Sequence, residues 1–262
     1  GTAAVSSSTR AVWAGGYAPG YQDRIDYVTI ATSANAIDFG NLDHGRFESS
    51  GVSNGIRGVF GPCENPAQAQ NVIQYITIAT TGNATDFGDS SISTGTKKQA
   101  SMTSTTRGLF AGGQNVPSPS AYYDVIQYIT IASTGNAQDF GDLTQTVHMT
   151  SGVSSSTRGV RAGGQVDPSQ TNTDTIDFVT IASTGNATDF GNLSTSNQRS
   201  SAMSNSIRGL FSGGGAPNSS TQINTVDKIT IASTGNATDW GDYFGTKVTQ
   251  AAGCSDSHGG LS

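Results

Sequence analysis

STGNATDFG occupies residues 183–191, and near-copies stand at 32–40 (TSANAIDFG), 80–88 (TTGNATDFG), 133–141 (STGNAQDFG) and 233–241 (STGNATDWG). A second phrase, R-G-[LV]-F in its commonest form, places an arginine at Arg10, Arg57, Arg107, Arg158 and Arg208, with spacings of 47, 50, 51 and 50. The glycine that ends the first phrase keeps the same rhythm, at Gly40, Gly88, Gly141, Gly191 and Gly241. Two landmarks in step make the chain a repeat protein, and the repeat is read before any secondary structure. The units run approximately over 3–49, 50–99, 100–150, 151–200 and 201–250 within one domain, 1–262. The last segment, 251–262 (AAGCSDSHGGLS), aligns with the start of a further unit, with His258 in the arginine slot.

Each unit predicts four short strands. Strand a is small and polar (SGVSSS, 151–156), and strand b carries the arginine phrase (RGLFAGG, 107–113). Strand c is the clearest: IDYVTIA (25–31), IQYITIA (73–79 and 126–132), IDFVTIA (176–182) and DKITIA (227–232). Its β-branched and aromatic residues suit a pleated backbone. Apolar groups fall on both of its faces, as expected of a strand covered on both sides. S-T-G-N is turn chemistry, because Gly and Asn take positive φ at low cost. The chain is therefore expected to reverse there and return as strand d, A-T-D-F-G. Its aromatic, Phe39, Phe87, Phe140, Phe190 or Trp240, should pack on the next sheet, and the glycine after it should let two backbones approach.

Composition agrees with many thin sheets. Gly is 34 of 262 residues, 34% of the chain is hydrophobic and 12% is charged. With 13 Lys plus Arg and a net charge of −6, there is no basic stripe for nucleic acid. No stretch approaches the ~20 apolar residues of a membrane helix, so membrane insertion is not expected. Cys63 and Cys254 lack metal-ligand spacing and read as small, partly buried thiols, with a long-range disulfide left open.

Four antiparallel strands per unit, a period near 50 residues and a Gly-Gly closing strand b together resemble the kelch-type β-propeller repeat. Gly15-Gly16, Gly112-Gly113, Gly163-Gly164 and Gly213-Gly214 fill the doublet, and Pro62-Cys63 interrupts it in the second unit. The resemblance implies an all-β, five-bladed propeller whose C-terminal strand closes the ring on the first blade. The wording TRG[VL]FAGG…YITIASTGNATDFGDL further resembles repeat-containing virion proteins of marine bacteriophages, of the cyanophage type. That resemblance implies a virion or extracellular location, and virion proteins or host-surface glycans as partners.

In such a unit the a–b and c–d turns share one rim and the b–c and d–a loops the other. The first set is nearly constant and the second varies, so the second rim is where binding is expected. Its candidate ligand-binding residues are Tyr17, Tyr21, His44, Tyr122, Tyr123, His148 and Tyr243, with Phe47 and Phe244 alongside. Exposed aromatics stack on sugars or anchor proteins. The competing reading is that several pack their own loops. The five arginines, with Asp38, Asp86, Asp139, Asp189 and Asp239, read as structural: repeated Arg–Asp pairs or Arg-to-carbonyl bonds. Acidic residues three apart, such as Asp139 and Asp142, lack the dense ligand spacing of a calcium loop, so no metal or other cofactor is implied. Asn83, Asn186 and Asn236 open glycosylation sequons only because the turn needs that wording. Three histidines, with no nucleophile elbow or phosphate loop, give no catalytic set. A glycoside hydrolase would need carboxylates peculiar to one unit. The expectation is a non-enzymatic structural or host-attachment module. A secreted or cell-surface carbohydrate-binding or adhesion module is the alternative.

Overall fold

The structure is a computed structural model that describes residues 1–63, 71–115, 121–215 and 222–243. Among these residues the fold is all-β, with antiparallel strands gathered in five sheets and no helix. The first sheet holds β1 (Ala3–Ser6), β2 (Arg10–Ala14), β3 (Gln22–Thr29) and β4 (Ile37–Arg46) in chain order. The second holds β5 (Gly51–Ser53), β6 (Arg57–Phe60), β7 (Val72–Thr77) and β8 (Thr85–Asp89). The third holds β9 (Ala100–Thr103), β10 (Arg107–Ala111), β11 (Val125–Thr130) and β12 (Gln138–Asp142). The fourth is enlarged: β14 (Ser151–Ser154), β15 (Arg158–Ala162), β17 (Thr171–Thr180) and β18 (Thr188–Asn197) are joined by two-residue strands β13 (Val147–His148) and β16 (Gln165–Val166). The fifth holds β19 (Ser201–Ser204), β20 (Arg208–Ser212), β21 (Thr225–Thr230) and β22 (Thr238–Asp242). The segment 251–262, expected to close the ring, lies outside the described residues.

The third and fourth strands of every sheet pair through the same irregularity. Asp26 faces Asp38 and Ile25 faces Gly40, so Phe39 is the extra residue of a bulge, and the pattern recurs in all five sheets. Phe39 thereby reaches Ile76 and Ile78 of the second sheet. Phe87, Phe140 and Phe190 do the same against the third, fourth and fifth sheets. Four apolar clusters result, each lying between consecutive sheets rather than within one.

Three polar ties cross each of these junctions. The first corrects the sequence reading of S-T-G-N as hairpin chemistry alone. In the second unit, Gly82 N–H donates to Phe39 C=O, Ala84 N–H donates to Asn41 C=O, and Asn83 Oδ1 accepts from Asn41 N–H. Asn136, Asn186 and Asn236 clasp Asp89, Asp142 and Asn192 in the same way. A Cβ added to Gly40, Gly88, Gly141 or Gly191 would lie 2.4–2.5 Å from the carbonyl oxygen of Gly82, Gly135, Gly185 or Gly235. The phrase recurs because it fastens each unit to the one before it.

The second tie is the arginine. Arg10, Arg57, Arg107 and Arg158 donate through Nη1 to the carbonyls of Ile78, Ile131, Ile181 and Ile231 in the following sheet, at 2.9–3.3 Å. Each guanidinium also lies 4.2–4.6 Å from the centre of Tyr27, Tyr75, Tyr128 or Phe178 in its own sheet. Of the two sequence-level arrangements, the arginines therefore use carbonyls. Asp86 and Asp239 instead accept from the N–H of Gly88 and Gly241. The third tie starts from the polar position of strand c: Gln74, Gln127, Asp177 and Asp227 accept from Asp43, Ser91, Thr144 and Ser194 N–H of the preceding unit.

The first and fifth sheets lack these ties to one another among the described residues. Ile30 is 52% exposed, whereas its counterparts Ile78, Ile131, Ile181 and Ile231 are buried. Trp240 is 50% exposed where Phe39, Phe87, Phe140 and Phe190 are buried. Ala34 replaces the turn glycine of the other units, and no described atom stands within 4 Å of a Cβ built on Gly241.

Gly141 and Gly241 share almost the same φ, 141° and 146°, but only Gly141 faces a neighbouring backbone. Gly141→Ala is expected to lower stability by roughly 1–3 kcal/mol more than Gly241→Ala, the usual cost of overpacking. Chemical denaturation of both variants measures the difference, and equal losses would refute the clasp.

Candidate binding face

The first strands β1, β5, β9, β14 and β19 all border one cavity of about 150 Å³, near the a–b turns. Hydroxyls tie these strands to one another: Ser53 donates to Ser6 C=O, Thr103 to Ser53 C=O and Ser204 to Ser154 C=O. A second cavity, of about 270 Å³, is lined by the opposite ends of the same strands and by residues 48–50, 98–99, 149–150 and 199–200 of the d–a loops. The b–c loops leave strand b on this side.

Local contacts separate the aromatic candidates. Tyr17, Tyr21 and Phe47 meet edge to face, with ring centres 5.5–6.2 Å apart, yet Tyr17 stays 62% exposed. Tyr122 lies against the imidazole of His148 at 4.5 Å, and the Tyr123 hydroxyl comes within 3.4 Å of Thr94 Oγ1. The two neighbouring tyrosines thus go to different places and do not form one platform. Tyr243 bonds Ser212 through its hydroxyl at 2.9 Å. Phe244 lies outside the described residues.

The two described histidines are built in. His44 Nδ1 sits 2.6 Å from Asp43 Oδ1, and Asp43 also receives Arg46 at 3.2 Å. Arg46 is itself buried, donating to the carbonyls of Gly61 and Val72. Burial, and then the Arg46 charge, push the His44 pKa down. His148, on β13, is 2% exposed. Its pKa falls to about 4, chiefly through burial and then through the Lys98 charge, while a hydrogen bond with the Gln165 backbone opposes the shift. Neither ring is an exposed ligand-stacking surface.

The sequence reading missed a further set. Glu48, Lys98, Met149 and Arg199 each stand nine residues before the arginine that opens strand b of the next unit, as Gly1 does before Arg10. All four have positive φ, 56–59°, which L-residues with side chains rarely adopt. Their common offset was legible; their conformation was not, because nothing in Glu, Lys, Met or Arg signals a left-handed backbone.

No protein-family model matches the chain, and no curated protein matches it.

The unfolded chain protonates histidine near pH 6.5, whereas folded His148 resists until about pH 4. Between these values the unfolded state binds more protons, so stability present above pH 6.5 is lost as pH falls towards 4. The expected loss from this residue is on the order of 2 kcal/mol. Thermal melts at pH 7 and pH 4.5 should show a smaller drop for His148→Gln than for the parent.

Proposed function

We propose that the chain is a non-enzymatic binding module: a five-bladed, kelch-like β-propeller that acts as a structural or host-attachment part of a phage virion. It holds a protein or glycan partner on the rim of variable b–c and d–a loops. One observation carries the reading. The constant elements of the units, namely the arginine, the Asn-Gly turn and the bulge aromatic, are consumed in fastening sheet to sheet. Individual chemistry is left to the loops of one rim, where a rigid scaffold usually carries recognition. Five sheets whose first strands border a common cavity suit a ring of blades around an axis. The phrase-level resemblance to phage repeat proteins supplies the virion setting.

A second reading, a secreted or cell-surface carbohydrate-binding module, draws on the same rim. It is favoured by the exposed ring of Tyr17 in the Tyr17–Tyr21–Phe47 group, since a tyrosine presenting an apolar body and a polar tip is suited to sugar faces.

Detection of the chain's peptides in purified phage particles is the result expected for the virion reading; their confinement to a host's secreted fraction favours the second. On a glycan array, Tyr17→Ala combined with Tyr123→Ala should weaken retained glycans roughly tenfold, as loss of an aromatic anchor does, with little change in melting temperature. Tyr122→Ala, which uncovers His148, should instead lower the melting temperature. Unchanged glycan binding in the double variant would remove the aromatic rim from the site.

A further inference from the structure

Each interior junction is completed by one element of the following unit, the end of strand c with its S-T-G-N-A turn. In the third unit, which covers the second, Ile129 and Ile131 pack with Phe87. Gly135 N–H donates to Phe87 C=O, Asn136 Oδ1 accepts from Asp89 N–H, and Ile131 C=O accepts from Arg57. The fifth sheet presents the same face, and no described turn lies on it. Gly241 keeps the φ of a bulge glycine, 146°, and its N–H bonds Asp239 as Gly88 N–H bonds Asp86. Trp240 stands half exposed where Phe87 is buried. Arg208 lies 5.7 Å from the Trp240 ring, and among the described residues its guanidinium reaches no carbonyl. The terminal units of repeat proteins turn a polar face outward. An exposed tryptophan beside an uncovered bulge glycine marks an interaction surface instead.

The first sheet does not fit that face. The turn glycines Gly82, Gly135, Gly185 and Gly235 have φ of 150–157°, a conformation that Ala34 in their place does not adopt. Gly58, Gly108, Gly159 and Gly209 leave room for a strand-a side chain of the preceding unit, and a Cβ there would lie 2.5–2.8 Å from it. The first unit has Ala11 at that position. Both departures apply equally to the first sheet of a second copy, and the turns of units two to five are already engaged. The five copies of the phrase within residues 1–262 therefore leave none for the fifth sheet. One substitution shows that its cover comes and goes. The other four sheets hold Tyr27, Tyr75, Tyr128 or Phe178 under the arginine, whereas the fifth holds Lys228, with Nζ 4.8 Å from the Trp240 ring. A charged head on an apolar stem suits a face that stands in water between encounters.

We propose that the outward face of the fifth sheet, formed by Arg208, Lys228, Trp240 and Gly241, is a docking site for a different polypeptide, which binds through a strand and turn of the wording Ile-Thr-Ile-Ala-Ser-Thr-Gly-Asn-Ala. The four interior junctions define that chemistry. Two isoleucines lie against the indole, and the glycine N–H meets Trp240 C=O. The asparagine Oδ1 takes Asp242 N–H, and an isoleucine carbonyl takes Arg208. The partner's glycine is required by its backbone conformation rather than by space. The site is a sheet face and not the variable rim, so the two stand or fall independently.

The test uses the full chain carrying Trp13→Phe, which leaves Trp240 as its single tryptophan. The probe is a synthetic peptide with the sequence of residues 129–137, titrated to about 1 mM, where weak binding still registers. Indole emission should shift to the blue and saturate, because Trp240 passes from half exposed to covered. The same peptide with Gly135→Ala and Asn136→Ala should bind about tenfold more weakly or worse, as loss of a charge-free but oriented contact set predicts. In the protein, Gly241→Ala removes the close approach and Arg208→Gln removes the guanidinium without touching the backbone; each should weaken the unaltered peptide about tenfold. Four results overturn the site: no saturable shift in the parent, equal binding of the altered peptide, undiminished binding in both protein variants, or a blue emission before any peptide is added. In the last case sedimentation separates the causes: a monomer means that the chain covers its own face, and a dimer that a second copy does.

Discussion

The backbone of Gly135 presses on Gly88 so closely that Gly88 has no room for a Cβ, and the rest of the molecule is arranged around that contact and its three copies. The approach lets Gly135 N–H reach Phe87 C=O and Ala137 N–H reach Asp89 C=O, which sets the register of one sheet on the next. Once that register is set, the bulge aromatic meets its pocket and the arginine meets its carbonyl. The apolar clusters lie between sheets, so a single unit exposes both faces that its neighbours would cover. Stability in such a molecule comes mainly from nearest-neighbour junctions, as in other repeat architectures.

The same logic explains why the end units look different. The first sheet has no described partner before it and the fifth none after it, and the residues at those faces depart from the pattern. Ala34 stands where the other units have the clasp glycine. Lys228 replaces the aromatic of strand c and lies 4.8 Å from the Trp240 ring, while Arg208 lies 5.7 Å from it. Lysine tolerates water where Phe would not, since it carries a charged head at the end of an apolar stem. Substitution at the ends and constancy within are two results of one requirement, that each interior face be covered.

Much of this was legible in the sequence because the repeat reports its own alignment. Four strands per unit, the aromatic directed at the next sheet and the close approach after it all follow from alternation, turn chemistry and glycine placement. The direction of the S-T-G-N bonds was not legible. A turn that closes its own hairpin and a turn that clasps its neighbour need the same residues, and only the fold decides which acceptors are near. The arginines pose the same problem, because Asp and carbonyl oxygen are equivalent partners on paper. Tyr122 and Tyr123 are adjacent in the chain, and adjacent residues of an extended segment point apart; one ring found His148 while the other found Thr94.

The set of Glu48, Lys98, Met149 and Arg199 shows where a repeat protein can individualise itself. A position whose backbone is fixed by its neighbours, but whose side chain is not needed for packing, can change freely from unit to unit. Strand c has few such positions, since its apolar faces and its polar tie are both occupied. The end of each of the four described d–a loops has one, and the arrangement of the sheets brings these four to a single mouth. Five copies of one scaffold thereby produce an asymmetric set of groups, acid, base, thioether and guanidinium, around one opening. The chemistry of that opening depends on what differs between the units, and its geometry on what does not.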